Sequence, residues 1–131
     1  MELILEFDTA SKILRVTVTG ELTDVGGEEL YSSVQKFIAA EEVHGGILDL
    51  SLVTKLDISA PAVVRLSKHP PLFEGSQVRV IVAPQDLTYG MARMFQISRS
   101  EIHGGLHVVH TLSEAYELLG LTNPEFSKVG P

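Results

Sequence analysis

A chain of 131 residues with no cysteine, a net charge of −7 and 44% hydrophobic residues has the size of one domain and can bury a core without metals or disulfides. The missing cysteines exclude disulfides and thiol chemistry, and the overall acidity argues against nucleic-acid binding, which phosphate neutralisation drives. No apolar run reaches membrane-spanning length, and Glu2 and Glu6 stand where a secretion signal would carry basic residues, so a soluble, cytoplasmic protein of bacterial type is expected.

Residues 3–7 and 13–19 read as two strands, the second alternating Leu14, Val16 and Val18 with Arg15, Thr17 and Thr19, and residues 8–12 as their hairpin turn. Thr23-Asp24 can cap a helix in which Leu30, Val34, Phe37 and Ile38 share a face, with Glu28 and Glu29 near its favourable N-terminal end. Gly45-Gly46 then precede Ile47-Leu48-Asp49-Leu50, an apolar run that suits a strand covered on both faces. Past a polar link at Thr54-Lys55, Asp57 and Ser59 lead into a helix whose early Pro61 is tolerated because first-turn amides have no intrahelical acceptor. Ser59 is its N-cap, and Pro70-Pro71 end it.

Residues 78–82 are a further buried-type strand, followed by a helix with Leu87, Gly90, Met91, Met94 and Phe95 on one stripe. Residues 106–109 are a last short strand. Thr111-Leu112-Ser113-Glu114 fits a capping box, and Gly120 stops the final helix. Residues 122–131 read as a loosely held tail. The order is ββαβαβαβα, and its alternating half favours a mostly parallel sheet with right-handed crossovers.

Residues 46–71 resemble the STAS domain, the fold of bacterial anti-sigma-factor antagonists, in which a buried strand precedes an Asp-Ser-Ser-Gly turn; Asp57-Ile58-Ser59-Ala60 stand at that turn here. Residues 78–95 are similar to a group of small bacterial STAS-like proteins often grouped with lipid-carrier-like folds. The resemblance spans residues 3–121 and implies a single α/β domain over 1–121, with 122–131 as a C-terminal tail. It implies a non-catalytic regulatory module that presents Asp57, Ile58, Ser59 and Arg65 to a regulatory protein partner, one of kinase type among the options.

The resemblance also aligns Ser59 with a serine whose phosphorylation switches partner binding. A phosphate there would add roughly −1.5 to −2 of charge beside a helix N-terminus. The chain departs from the pattern in that Ile58 replaces the first serine, Ala60 the glycine, and Pro61 removes an amide. Ser59 acting only as a helix cap is the competing reading. The alternative function is a carrier or sensor of an apolar anionic molecule such as a lipid, with Arg65, Lys68, Tyr89, Arg93 and Phe95 as candidate contacts.

Other chemistry finds less support. Residues 51–99 hold three acids against six Lys and Arg, which admits a local anion site or merely solvated helix faces. Asp49 and Asp57 lie near one strand end, but no nucleophile elbow or Walker-type loop accompanies them, so neither enzymatic activity nor a cofactor is expected. His103, His107 and His110 do not converge as metal ligands if 106–109 is a strand. Pairing of two copies through the hairpin edge or an apolar helix face is the expectation for assembly.

Overall fold

The computed structural model describes residues 1–99 and 104–129; His103, weighed above as a metal ligand, lies outside them. Ten elements follow in the order β1 (Glu2–Asp8), β2 (Ile13–Thr23), α1 (Asp24–Ala40), β3 (Gly45–Asp57), α2 (Ala60–Ser67), β4 (Arg79–Val82), α3 (Asp86–Ser98), β5 (Leu106–Val109), α4 (Leu112–Leu119) and β6 (Ser127–Lys128). They build one sheet in the order β5-β4-β3-β2-β1-β6. β2 to β5 are mutually parallel, and β1 and β6 are antiparallel to their neighbours.

Period-two alternation divides the core between two faces. Val18, Leu22, Leu50, Ile81 and Leu106 point towards α1 and α3 and pack with Leu30 and Ala92. Phe7, Leu14 and Val16 meet α1 through Phe37, whose ring stands edge-on to Phe7 at 5.2 Å. Ile13, Ile47, Val80, Val82 and Val109 point the other way and are covered by α4 through Ala115, Leu112 and Leu119. α2 packs between α1 and α3.

The hairpin turn closes with Lys12 at φ 62°, its N–H donating to Asp8 O at 2.8 Å. α1 is capped by Thr23, whose hydroxyl accepts from Gly26 N at 3.0 Å. α4 is capped by Thr111 accepting from Glu114 N, and ends at Gly120 in the left-handed region with φ 66°.

Three elements differ from the sequence expectation. β2 runs on past residue 19 to Thr23. β3 does not stop near Leu50: it continues to Asp57 in register with β2, ending at Thr23↔Asp57. Thr54-Lys55 is therefore strand rather than link. A register shift, in which consecutive Gly20 and Glu21 of β2 pair with Val53 and Lys55, places a bulge in β3 at Thr54, which leaves both Thr54 and Lys55 exposed and breaks the alternation. The tail is also held. Ser127 and Lys128 pair with Phe7 and Glu6, Val129 N donates to Leu5 O at 2.9 Å, and Phe126 lies under the Arg15 guanidinium at 4.3 Å. Arg15 is fixed in turn by Glu6 at 2.9 Å and the Tyr116 hydroxyl at 2.7 Å.

Candidate functional site

Parallel βα units place the starts of α1, α2 and α3 at the same edge of the sheet, where the parallel strands end. At that edge the junction Asp57-Ile58-Ser59 passes from β3 into α2. Ser59 is extended, with φ −78° and ψ 154°, and its Oγ accepts from Ala62 N at 3.2 Å, as the N-cap role requires. Its residue surface is exposed.

Ser59 is bound a second time by a residue 35 positions earlier in the chain. Asp24, the first residue of α1, accepts from Ser59 N through Oδ1 at 2.7 Å and from the Ser59 hydroxyl through Oδ2 at 2.9 Å. Two hydrogen bonds from Ser59, with the Arg65 charge adding to them, hold the Asp24 carboxyl below the usual aspartate range. The hydroxyl thus donates to one helix start and accepts from another.

A second tie joins α1 to the far end of α2. The Tyr31 hydroxyl donates to Pro70 O at 2.6 Å, and His69 Nε2 lies 2.8 Å from both Glu28 carboxylate oxygens. The side of α1 facing α2 is bare at Gly27, where a Cβ would come within 2.8 Å of Leu66 Cδ1 and 3.2 Å of Ile58 Cδ1. This absence lets the two helices approach.

Beneath α1, α2 and α3 lies a cavity of about 210 Å³ against the sheet, lined almost wholly by apolar side chains, among them Leu30, Leu50, Ile58, Val63, Leu66 and Phe95. Of the residues expected to hold an apolar anionic ligand, Phe95 lines it. Arg65, Lys68, Tyr89 and Arg93 lie outside the lining: Lys68 Nζ donates to Ser98 O at 3.2 Å, Arg93 to Gln96 Oε1 at 2.6 Å, and the Tyr89 ring stacks on His110 at 4.2 Å. The cationic residues that line it are instead Arg79 and Arg99.

Of the residues expected at a partner surface, Asp57 is exposed at the end of β3, Ile58 turns inward to the cavity, and Ser59 and Arg65 are exposed. Exposed apolar side chains share that edge: Val25 in the first turn of α1 (68% exposed) and Leu87 in the first turn of α3 (77%). Asp49 is buried and accepts from Ser51 N and Oγ at 3.0 and 2.6 Å, which gives it a local structural role. No three of His, Cys, Asp and Glu gather to hold a metal among the described residues. Among them too, no helix is long and apolar enough to cross a membrane.

Sequence reasoning found Ser59 through its capping signal and missed Asp24 as its partner, since a contact across 35 residues has no local signature. It also missed the cavity, whose one sequence trace is the pair of small residues Gly27 on α1 and Ala92 on α3.

No protein-family model and no curated protein matches the chain by sequence. Its architecture does match solved structures. The anti-sigma factor antagonist SpoIIAA in its unphosphorylated form superposes with a TM-score of 0.60 at 18% identity, over 92% of this chain and all of that one. The Bacillus cell-fate determinant SpoIIAA in its phosphorylated form superposes with a TM-score of 0.55 at 19% identity, over 90% of this chain and 99% of that one. The chain therefore carries the STAS-like fold of the anti-sigma-factor antagonists, a mixed α/β domain with a mostly parallel sheet.

Proposed function

We propose that this chain is a regulatory protein-interaction module of the antagonist type, which docks a regulatory partner of kinase type at the sheet edge carrying Ser59 and is switched by phosphorylation there. The observation that carries the reading is the double engagement of an exposed serine hydroxyl, donating to Asp24 and capping α2 through Ala62.

Phosphorylation would reverse the first of these contacts. The hydroxyl proton that binds Asp24 is replaced by acceptor oxygens bearing about −1.5 to −2 charges, so attraction at 2.9 Å becomes repulsion. The second contact survives, because the helix start favours an anion and Ala62 N–H still points at it. The phosphate is kept on α2 while α1 is pushed off. Exposed Val25 and Leu87 give the same edge apolar area for a partner to cover, and Asp57 and Arg65 supply charges at its rim. Two SpoIIAA structures, one phosphorylated, share this fold.

Intact-mass measurement of the protein isolated from its native cells should show a fraction carrying one phosphate, absent in Ser59→Ala. Affinity capture with Ser59→Ala and Ser59→Asp should retain the same partner at least tenfold more on the alanine variant. A chain with no phosphate at Ser59 and equal capture by both variants would overturn the reading.

A further inference from the structure

We propose that α2 is a movable element, and that the cavity under α1, α2 and α3 is the space into which it settles once its bonds to Asp24 are broken. In the cell the break would come from the phosphate proposed at Ser59, and to that extent the inference rests on the reading above. The cavity volume of about 210 Å³ exceeds the roughly 150 Å³ of an engineered apolar cavity that stays dry. Water entering it would find few polar partners, and the atoms lining an empty space forfeit dispersion contacts. Closing the space is therefore favourable wherever one wall can move.

α2 is the wall able to do so. It is eight residues long, too short to hold its place without tertiary contacts. Ile58 just before it, with Val63 and Leu66 within it, form an apolar underside that already lines the cavity. α1 presents no side chain to obstruct them at Gly27. Leu66 Cδ1 and Ile58 Cδ1 lie 2.8 and 3.2 Å from the point a Cβ there would occupy, so both can slide past bare backbone in the manner of a small shear between packed helices.

Bonds at both ends keep α2 raised. At its start, Ser59 N and Oγ donate to the Asp24 carboxylate at 2.7 and 2.9 Å. At its far end, the Tyr31 hydroxyl donates to Pro70 O at 2.6 Å and Lys68 Nζ donates to Ser98 O at 3.2 Å. Only the first set involves the Ser59 hydroxyl, so a phosphate there frees the start and leaves the far end fastened. The released start carries Ile58 and Val63 down into the cavity, and the partner surface around Ser59 changes shape as well as charge.

The test uses the full chain labelled at Ile, Leu and Val methyls, with xenon and hydrostatic pressure as probes. Wild type should bind xenon saturably, with shifts at Leu30, Ile58, Val63 and Leu66. Pressure favours the state with less void, so it should move the Ile58, Val63 and Leu66 methyls along a curve while Val82 and Val109 on the opposite face of the sheet respond linearly. Asp24→Ala should displace the same three methyls at ambient pressure towards their high-pressure positions and weaken xenon binding at least fivefold. Ala92→Phe, which fills the cavity, should abolish the xenon shifts and the curved response while keeping a dispersed methyl spectrum. Leu30→Phe serves the same purpose at a half-buried position if that variant does not fold. No xenon binding by wild type, unchanged xenon binding in Asp24→Ala, or a curved response that survives the filling would each overturn the proposal. The expected Asp24→Ala behaviour in a chain that never carries phosphate at Ser59 would support the moving helix and overturn the phosphorylation reading alone.

Discussion

Ser59 answers to two helices at once, and substitutions can separate its two roles. Ser59→Ala removes the cap and should cost about 1 kcal/mol in chemical denaturation. Ser59→Asn and Ser59→Asp both cap well, but the aspartate sets a second carboxylate against Asp24, which now accepts from the hydroxyl at 2.9 Å. The Asp variant should therefore be the less stable of the two, and the difference should vanish in an Asp24→Asn background or at high salt. Acidification gives an independent readout. Because folding lowers the Asp24 pKa, its contribution is complete above the ordinary aspartate value and is lost as pH falls through the lower folded value. The stability gap between wild type and Asp24→Asn should accordingly close below about pH 4, as denaturation at stepped pH would show. The serine could be read from its place before Ala60-Pro61, where a cap belongs; the aspartate could not, because nothing near either residue announces the other.

Between elements, close approach decides which glycines tolerate change. A Cβ on Gly45 would meet the Val78 carbonyl at 2.6 Å, and that backbone oxygen, just ahead of β4, is held by Gly46 N at 3.2 Å and cannot step aside. Gly45→Ala should cost about 1–3 kcal/mol by overpacking, measured by denaturation. Gly27→Ala meets only the flexible ends of Leu66 and Ile58, which can retreat into the cavity, and alanine is the better helix former. It should leave stability near that of wild type. Periodicity made most of these elements legible: α1, α2 and α4 and the first part of β2 stand at or near the expected places because alternation, caps and terminating residues agreed. The outer half of β3 was hidden by its bulge, which exposes Thr54 and Lys55 in succession and so mimics a loop. The cationic side chains expected around a ligand stand outside the cavity lining for a related reason. Helical spacing shows that Arg65, Lys68 and Arg93 avoid the core, but not that the remaining space would be lined almost wholly by carbon, with Arg79 and Arg99 as its cationic lining residues.

At the scale of the whole molecule, β6 caps an edge that would otherwise be open. Arg15, Tyr116 and Phe126 fasten the chain before it, and Ser127 and Lys128 then cover part of β1. Removing residues 122–131 should lower the melting temperature and promote self-association through β1, visible as a larger species by light scattering on a sizing column. Arg15→Ala should give a weaker form of the same change. The attachments of α2 to α1 have a further mechanical consequence. Asp24 grips the start of α2, and Glu28 with Tyr31 grips the turn beyond its end. If the first grip is lost and the second is kept, α2 does not detach. It swings about a pivot at His69 and Pro70, so the largest displacement falls at Ser59 and the smallest at the opposite rim of the sheet.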